Sequence, residues 1–207
     1  MNLQISFDLQ DLQESIKIAQ EIEEYADIIE VGSILLLKYG VEAIKEFRKA
    51  VPKKTILADS KILDRSKDIT TVLVNAGCDW VTVMAGTGKN VIHNASQTAH
   101  NFNKKIMLDI IDAKSQGQSA LEAKNLGIDA ILFHQPYEEE GTMSFLDNWD
   151  MVKGNTELPI YISSKIDRNN IENILDLKPA GIVVGNTIIE AENPKEEAHF
   201  FYNLCKR

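Results

Sequence analysis

One short stretch of the chain concentrates charged side chains directly after an apolar run. Asp59, Lys61 and Asp64 follow the run Thr55–Leu57 within a few residues. A carboxylate beside an ammonium keeps both groups charged, and a lysine held in this way can stabilise a developing oxyanion or donate a proton. Alternation along a strand places Asp59 and Lys61 on one face, with Asp64 just beyond the strand end. The alternative interpretation is a solvated loop that carries three charges.

A further carboxylate lies inside an apolar run. Glu30 belongs to the run 27–32, where a buried glutamate is costly unless it finds a partner or a metal ion. Glu30 and Asp59 end neighbouring predicted strands, and two carboxylates with room for water suit Mg²⁺. We therefore predict a Mg²⁺ site formed by Glu30 and Asp59. A glutamate at the rim, paired with a lysine, is the alternative.

Three more ionisable residues follow apolar runs. His134 is a candidate general acid or base at neutral pH, or else a hydrogen-bonded structural residue. Asp109 either orients His134, binds substrate hydroxyls or caps the next helix. Asp8 either supports Lys61 from a neighbouring strand or caps the helix that follows it, and its position favours the cap. The other histidines fall in helix-like stretches and are predicted to lie at the surface: His93, His100 and His199.

The last two apolar runs end in residues that can bind an anion. Gly185 and Asn186 offer backbone N–H groups at the start of a helix. Ser163 and Ser164 add hydroxyl groups, and Lys165 adds a cation. In a barrel, the loops after the seventh and eighth strands commonly bind phosphate. We therefore predict phosphate binding here, although a Gly-Asn pair also occurs in ordinary turns.

The elements that must position these residues alternate regularly. Helix-like stretches, such as Leu12–Tyr25 and Val41–Ala50, separate short apolar runs that recur about every 25 residues. Strict alternation predicts a parallel sheet, and eight units predict an α/β protein with a compact (β/α)₈ TIM barrel as a single domain over residues 1–207. A doubly wound open sheet is the alternative. The predicted strands are Leu3–Phe7, Ile28–Val31, Thr55–Leu57, Trp80–Val83, Ile106–Leu108, Ala130–Phe133, Pro159–Ile162 and Gly181–Val184. In both folds, the residues described above meet at the carboxyl ends of the strands.

Composition excludes several classes of protein. The 207 residues include 22 Lys and Arg against 31 Asp and Glu, which gives a net charge of −9. An acidic chain is repelled by nucleic acid and by anionic membranes, so we expect neither partner. No apolar run approaches the roughly 18 residues that a membrane span needs. Two cysteines are too few for a disulfide framework. With no signal-peptide core before Asp8, we expect a cytoplasmic protein.

Several motifs, spread over nearly the whole chain, carry a family resemblance. They are Ile-Ser-Phe-Asp8, Ile-Ile-Glu30-Val-Gly-Ser, Leu-Ala-Asp59-Ser-Lys61-Ile-Leu-Asp64, Ala-Gly-Cys-Asp-Trp-Val-Thr-Val and the strand that ends at His134. With them, the chain resembles the orotidine-5′-phosphate decarboxylase superfamily. Within it, the resemblance is to the branch that contains 3-hexulose-6-phosphate synthase and 3-keto-L-gulonate-6-phosphate decarboxylase.

The resemblance implies a fold, an assembly and a role for each site residue. It implies a (β/α)₈ barrel that forms a homodimer with active sites at the interface, and a phosphorylated sugar as substrate. Glu30 and Asp59 would hold Mg²⁺, which acts as a Lewis acid. Lys61 would stabilise an enediolate, Asp64 would reach into the partner subunit's site, and His134 would move the proton.

The two activities of the branch differ at a few positions. Asp109 resembles the synthase, where the decarboxylase carries a glutamate, and Tyr137 stands where the decarboxylase has an arginine. These residues favour the aldolase that joins formaldehyde to ribulose 5-phosphate. The motifs Glu-Val-Gly-Ser-Ile-Leu and Asp-Trp-Val-Thr-Val are closer to the decarboxylase, which serves ascorbate-type sugar use and is the alternative.

The phosphate loops depart from both patterns. Ser164-Lys165 replaces a Gly-Gly pair, and Gly185-Asn186 replaces Gly-Gly or Gly-Arg. A third hypothesis is therefore a sugar-phosphate-binding protein with little catalysis. Retention of Asp59, Lys61 and Asp64 argues against it, since clustered charges are costly to keep.

Overall fold

A closed barrel of eight parallel strands forms the centre of the molecule. The computed structural model describes residues 1–138 and 148–207, and in that part each strand pairs with the next along the chain, while β8 closes on β1. The (β/α)₈ TIM barrel is therefore confirmed, and the doubly wound alternative is wrong. The strands are β1 Asn2–Phe7, β2 Ile28–Val31, β3 Thr55–Ile62, β4 Trp80–Met84, β5 Lys105–Asp109, β6 Ala130–His134, β7 Ile160–Ser163 and β8 Gly181–Val184.

Helices follow the strands and cover the outside of the barrel. In the described ranges they are α1 Leu12–Ile22, α2 Ser33–Tyr39, α3 Val41–Ala50, α4 Ser66–Ala76, α5 Lys89–Asn101, α6 Gln116–Ala123, α7 Trp149–Lys153, α8 Ile171–Asp176, α9 Asn186–Ile189 and α10 Pro194–Cys205. The predicted helix-like stretches are confirmed, since α3 has the expected bounds and a 3₁₀ turn at Glu23–Tyr25 extends α1. None of these helices is long and apolar enough to cross a membrane.

Two apolar layers hold the barrel together. The larger lies between the strands and the helices, where, for example, the rings of Phe7 and Phe47 meet edge to face with centroids 5.2 Å apart. The smaller fills the inside of the barrel and consists of Ile28, Leu57, Met107, Ala130, Leu132, Tyr161 and Val183. Side chains on one strand face repeat every two residues, so the next inward positions towards the carboxyl ends include Glu30, Asp59 and Asp109. The inner apolar layer therefore forms the floor beneath the polar cluster.

Candidate active site

Lys61 lies at the centre of a buried charge cluster at the carboxyl ends of β3 and β5. Its Nζ is 3.0 Å from Asp59 Oδ2 and 3.2 Å from Asp109 Oδ2. Both aspartates are buried, so the solvated-loop interpretation of this stretch is wrong. Burial lowers the pKa of Lys61, but the charges of Asp59 and Asp109 outweigh it and raise that pKa above its ordinary 10.5. The lysine therefore carries a fixed positive charge at physiological pH.

A bulge, rather than simple alternation, brings Lys61 beside Asp59. The β3–β4 register runs from Ala58 opposite Val81 to Ile62 opposite Val83, so three residues of β3 face Thr82 alone. Lys61 has a φ of +44°, in the left-handed region that residues with side chains rarely adopt. The predicted proximity is confirmed, but the predicted end of this strand at Leu57 is wrong because the chain continues through the bulge to Ile62.

Asp109 connects the lysine to His134. Asp109 Oδ2 lies 2.9 Å from His134 Nδ1, and Oδ1 accepts the backbone N–H of Ile111 at 2.9 Å. Burial would raise the pKa of Asp109, but the bond to His134 and the nearby Lys61 lower it below its ordinary range. Burial likewise opposes the charged form of His134, but Asp109 raises the pKa of this imidazole above 6.5. Asp109 thus orients His134, as one of its predicted roles requires.

The remaining helix-cap prediction for Asp109 is wrong. The helix that follows β5 is α6, and its N-terminus is capped by Ser115, whose Oγ accepts the backbone N–H of Gln118 at 3.4 Å. The carboxylate of Asp109 instead contacts Lys61, His134 and the backbone N–H of Ile111, which lie near the strand end.

Glu30 is buried and, among the residues that the structure describes, has neutral hydrogen-bond partners. Ser6 Oγ donates to Glu30 Oε1 at 2.8 Å, and Gln4 Nε2 donates to Oε2. Within residues 1–138 and 148–207, no lysine or arginine pairs with Glu30, so the rim-glutamate alternative is wrong. Burial, followed by the charges of Asp59 and Asp8, raises the pKa of Glu30 to about 8.

The raised pKa of Glu30 shows that its surroundings do not balance a negative charge on this carboxylate, and a bound divalent cation would supply that balance. Glu30 and Asp59 supply the oxygen ligands that hard cations prefer. Burial raises the pKa of both carboxyl groups. In the described part of the chain, no group of three or more His, Cys, Asp or Glu has the arrangement of a metal site. A donor set of two carboxylates leaves the other positions to water or substrate, which is the coordination that Mg²⁺ commonly keeps.

Asp8 occupies a different position from the one that its sequence context favours. Helix α1 is capped by Asp11, which accepts the N–H of Glu14, so the predicted cap by Asp8 is wrong. Asp8 Oδ1 instead accepts the backbone N–H of Ile34 in α2 at 3.2 Å, and Asp8 Oδ2 lies 3.2 Å from Ser6 Oγ, where it competes with Glu30 for the single hydroxyl proton. The predicted support of Lys61 is also not seen among these contacts. The negative charge of Asp8 contributes to the raised pKa of Glu30.

Gly32 makes room for Asp8. A Cβ atom at this position would lie 2.2 Å from Asp8 Oδ1, which no side chain tolerates. Glycine is therefore required where the chain leaves β2, because the carboxylate of Asp8 crosses to the start of α2.

The predicted phosphate residues meet at the same mouth of the barrel. Ser163 lies beside His134 in the β6–β7 register, and Gly185 lies beside Ser6 of β1. Thr187 Oγ1 donates to the carbonyl of Ile166 at 2.6 Å, which joins the loops after β7 and β8. Ser164 is half-buried, while Lys165 and Asn186 are exposed. Helix α9, which begins at Asn186, is a single turn and contributes little dipole.

Lys165 extends over an aromatic ring from a neighbouring loop. Its Nζ lies 5.2 Å from the centre of the Tyr137 ring, a cation–π distance. Two hydrogen bonds hold its loop: Asn170 Nδ2 donates to the carbonyl of Lys165 at 2.7 Å, and the backbone N–H of Ile166 donates to the carbonyl of Ser164 at 2.8 Å. Lys165 is thus a positive group on a well-defined loop.

Asp64 lies outside this cluster. It is exposed in the connection between β3 and α4, as its position beyond the strand end predicts. Its role in a partner subunit stays a prediction. The three histidines predicted at the surface are confirmed as exposed helical residues: His93, His100 and His199.

Three site residues were missed by the sequence argument. Gln4 and Ser6 of β1 bind Glu30, and Thr82 of β4 lies between Asp59 and Lys61. The signal for the first two was present, because polar residues at positions 4, 6 and 8 alternate along one strand face.

Comparison with known proteins agrees with this geometry. Residues 1–201 match the model of the family described as orotidine 5′-phosphate decarboxylase / HUMPS family. The chain is 31% identical over 200 residues to the 3-hexulose-6-phosphate synthase of Bacillus subtilis strain 168, covering 96% of this chain and 95% of that protein.

Solved structures give the same result for the fold. The crystal structure of 3-hexulose-6-phosphate synthase from Salmonella typhimurium superposes with a TM-score of 0.91 at 26% identity, covering 99% of this chain and 98% of that one. The 3-keto-L-gulonate-6-phosphate decarboxylase structure from Vibrio cholerae gives 0.85 at 24% identity, covering 100% and 97%. The chain, with its buried carboxylate–lysine–histidine cluster at the barrel mouth, belongs to the orotidine 5′-phosphate decarboxylase / HUMPS family.

Proposed function

We propose that this protein is a Mg²⁺-dependent lyase that acts on a phosphorylated sugar through an enediolate. Its most favoured activity is that of a 3-hexulose-6-phosphate synthase, which joins formaldehyde and ribulose 5-phosphate. The observation that carries this proposal is the continuous set of contacts from Asp59 through Lys61 and Asp109 to His134. It places a fixed positive charge and a titratable imidazole around one carboxylate.

Each member of the set has a defined task. Removing a proton from the carbon beside a ketone creates negative charge on the ketone oxygen, and the Lys61 ammonium is preorganised to stabilise that charge. Asp59 and Asp109 fix the ammonium and keep it protonated. His134 uses Nδ1 to bind Asp109, which leaves Nε2 to carry a proton to or from the substrate.

The carbon–carbon bond then forms without a redox step. The enediolate carbon attacks the formaldehyde carbon, the carbonyl double bond of formaldehyde opens, and the resulting alkoxide takes up a proton. His134 is the group that supplies this proton, because its Nε2 takes up the proton removed from the sugar carbon and Asp109, against the effect of burial, raises the pKa of the imidazole. In the reverse direction, the same imidazole accepts the proton and formaldehyde leaves.

Glu30 and Asp59 are the residues that would hold Mg²⁺. The ion would supply Lewis-acid stabilisation for the charge that develops on the sugar oxygens. Gln4 and Ser6 fix the Glu30 carboxylate from below by hydrogen bonds, which orients it towards the mouth. The unbalanced negative charge described above supports this assignment.

The alternative activity is decarboxylation of 3-keto-L-gulonate 6-phosphate. Asp109, in place of a glutamate, and Tyr137, in place of an arginine, favour the aldolase. The 31% identity to a 3-hexulose-6-phosphate synthase supports the same choice. The decarboxylase remains the second candidate because the motifs around Glu30 and Thr82 are closer to that enzyme.

Lys165 is proposed to bind the phosphate of the sugar. It lies on the loop after β7, next to the loop that begins at Gly185, and both loops belong to the mouth that holds Lys61. No salt bridge to Lys165 occurs within the described ranges, so its charge is available to an anion. A side-chain ammonium binds phosphate as a point charge, which is a weaker geometric constraint than a pair of backbone amides.

A homodimer is proposed around Asp64. Large apolar side chains are exposed on α2, on the loop that carries Asp64 and on α4: Ile34, Leu37, Leu63, Ile69 and Val72. Leu37 is 85% exposed, and exposed large apolar side chains near Asp64 are what an interface would cover. Analytical ultracentrifugation should therefore give a dimer, and Leu37→Asp should shift it to monomer with loss of activity. A fully active monomer would overturn this assembly.

A direct assay of both substrates tests the proposed function. Purified protein with Mg²⁺ is given ribulose 5-phosphate plus formaldehyde, or the keto-gulonate phosphate, and formaldehyde consumption and CO₂ release are followed. We expect formaldehyde consumption, abolished by EDTA and restored by Mg²⁺. CO₂ release alone would favour the decarboxylase. Binding of ribulose 5-phosphate without turnover of either substrate would favour the sugar-phosphate-binding protein.

A further inference from the structure

Thr82 of β4 contacts all three residues of the β3 bulge. Its Oγ1 accepts the backbone N–H of Lys61 at 2.8 Å and lies 3.0 Å from Asp59 Oδ1. Its carbonyl oxygen accepts a hydrogen bond from Ser60 Oγ at 3.0 Å. Thr82 is 1% exposed, so water does not substitute for these contacts. One buried residue therefore holds the whole irregular segment.

The hydrogen-bond directions at this threonine are fixed by chemistry. A backbone N–H can only donate, so the hydroxyl oxygen of Thr82 must accept from Lys61. The hydroxyl carries one proton, and the neighbouring acceptor is Asp59 Oδ1. The threonine thus couples the backbone of Lys61 to the carboxylate of Asp59 through a single oxygen atom. A valine has the same shape but removes both bonds.

The conformation of Lys61 explains why such a restraint matters. At a φ of +44°, a lysine is in a backbone conformation that persists only where the surroundings impose it. That conformation directs the side chain back over Asp59 and towards Asp109. A relaxed strand would instead place Lys61 by regular alternation and change where the ammonium lies.

We propose that Thr82 is a positioning residue, whose hydroxyl holds the β3 bulge so that Lys61 and Asp59 point to the same reacting oxygen. The inference rests on the proposed function for its effect on turnover. Thr82 is buried behind these two residues and acts through the backbone of Lys61 and the carboxylate of Asp59.

The test compares hydroxyl-free and hydroxyl-retaining variants. Thr82→Val and Thr82→Ala remove the hydroxyl with different volumes, whereas Thr82→Ser keeps it. Thr70→Val is the matched control, because Thr70 is fully buried and its Oγ1 has no hydrogen-bond partner among the described residues. We expect kcat to fall about 10–100-fold in the hydroxyl-free variants, as for other residues that orient a catalytic group. KM for the sugar phosphate should change much less.

A second readout follows the bulge without using activity. The Lys61 amide should be protected from hydrogen exchange in the wild-type protein and in Thr82→Ser, and should exchange faster in Thr82→Val. Thr70→Val should match the wild type in both kinetics and exchange. Recovery of kcat in Thr82→Ser, together with restored protection, would support the positioning role.

Three results would overturn the inference. The first is a folded hydroxyl-free variant with wild-type kcat. The second is failure of both hydroxyl-free variants to fold, which would make the hydroxyl a stability element only. The third is unchanged exchange of the Lys61 amide in Thr82→Val. If the wild-type protein turns over neither sugar phosphate, the proposed function fails, and amide exchange still decides whether Thr82 holds the bulge.

Discussion

The two mouths of the barrel carry the same lysine–aspartate pair in different surroundings. At the N-terminal mouth, Lys104 Nζ lies 2.7 Å from Asp79 Oδ1, and the Asp79 side chain is 30% exposed. Asp79 also accepts the backbone N–H of Ile56 in β3 at 2.9 Å. At the C-terminal mouth, Lys61 lies 3.0 Å from Asp59, whose side chain is only 7% exposed. The Lys104–Asp79 pair connects neighbouring strands, whereas the Lys61–Asp59 pair is buried beside other charged groups.

A histidine–aspartate pair is repeated in the same way. His100 Nε2 lies 3.0 Å from Asp129 Oδ2, and this oxygen also accepts the N–H of Ile106 in β5 at 2.9 Å. Its counterpart at the C-terminal mouth joins His134 Nδ1 to Asp109 Oδ2 at 2.9 Å. Asp129 is 26% exposed and Asp109 is fully buried. Pairing chemistry alone therefore does not distinguish a structural pair from a functional one.

What distinguishes the C-terminal mouth is charge that its own partners do not balance. At the N-terminal mouth, each aspartate accepts a strand N–H and has a basic partner of its own: Lys206 for Asp27, Arg48 and Lys104 for Asp79, and His100 for Asp129. At the C-terminal mouth, carboxylates outnumber cations, and Glu30 has no cation at all within the described ranges. Buried surplus charge costs stability and is a mark of functional sites. Substitutions at matched pairs can test this distinction.

The largest expected effect is at the histidines. His134→Ala should lower kcat by about 10²–10⁴, because it removes the proton carrier, whereas His100→Ala should leave kcat within about twofold and cost stability instead. The folded-state pKa of His134 is raised above 6.5, so its stabilising contribution is full below pH 6.5 and is lost as pH rises through the raised value. Glu30 contributes a loss over an overlapping pH range in both proteins, so melting temperatures against pH should show a smaller loss above pH 6.5 in His134→Ala than in the wild type.

Equal kinetic loss in both histidine variants would contradict the comparison, since it would make the N-terminal pair functional as well. Retention of the wild-type rate in His134→Ala alone would keep the enediolate scheme and transfer the proton to Asp109 or to bound water.

The lysines come second. Lys61→Ala should lower kcat by about 10²–10³, the usual cost of one preorganised electrostatic group, and should leave the fold intact. Binding of Mg²⁺, measured by calorimetry, should persist or strengthen because the remaining carboxylates lose a competing cation. Lys104→Ala should keep kcat and lose about 1 kcal/mol or less of stability, since its pair is partly exposed. Loss of turnover in Lys104→Ala would remove the functional distinction between the pairs.

At the N-terminal mouth, Asp79→Asn should change stability rather than rate. Its carboxylate serves Ile56 N–H, Arg48 and Lys104, so we expect the free energy of unfolding to fall by about 2 kcal/mol at pH 7. Burial opposes it, but these partners lower the pKa of Asp79 below 3.8, so its contribution is present above pH 3.8 and is lost as pH falls through the lowered value. Urea unfolding at pH 7 and pH 3 measures this.

The matched control is Asp68→Asn, whose carboxylate forms an exposed pair with Arg65 and should have almost no effect. An Asp79→Asn variant as stable as the wild type at pH 7, or one with much lower kcat, would contradict a structural role for the N-terminal mouth.

The architecture was predictable because it is repeated. Apolar runs at regular spacing gave the strands to within one or two residues at most ends, and the polar residue after each run gave Glu30, Asp59, Asp109 and His134. The parallel barrel then brings these ends together whatever the helices do. The cap at Asp11 was also visible, since Glu14 follows it three residues later, and that pattern should have excluded Asp8 as the cap.

The β3 bulge was not predictable from local pattern. It depends on the register between β3 and β4 and on the hydroxyl of Thr82, which is a contact between residues more than twenty positions apart. The anchoring aspartates of the N-terminal mouth do leave a signal, because Asp27, Asp79 and Asp129 each precede an even-numbered strand at about 50-residue spacing. Secondary-structure propensity and hydrophobic periodicity do not detect this signal, because it reflects contacts between neighbouring strands.

Glu30→Gln gives the smallest and sharpest test of surplus charge at the C-terminal mouth. Without metal, the Glu30 pKa of about 8 means that the folded protein holds a proton that the unfolded chain releases near 4.5. The wild type should therefore lose stability as pH rises from about 4.5 to about 8, and the amide variant should not. At pH 8 we expect the variant to be more stable by about 1 kcal/mol.

The packing around this position allows the substitution. The Oε1 atom of Gln4 is buried without a hydrogen-bond partner among the described residues, so a flip of the Gln4 amide can accept from the new amide. Mg²⁺ added at about 100 times its Kd should stabilise the wild type by about 2.7 kcal/mol and the variant far less. Thermal unfolding of both proteins at pH 6 and 8, with and without Mg²⁺, measures these effects. If Mg²⁺ stabilised both proteins equally, Glu30 would not be its ligand, and if the variant were less stable at pH 8, the carboxylate would be a structural group like those of the N-terminal mouth.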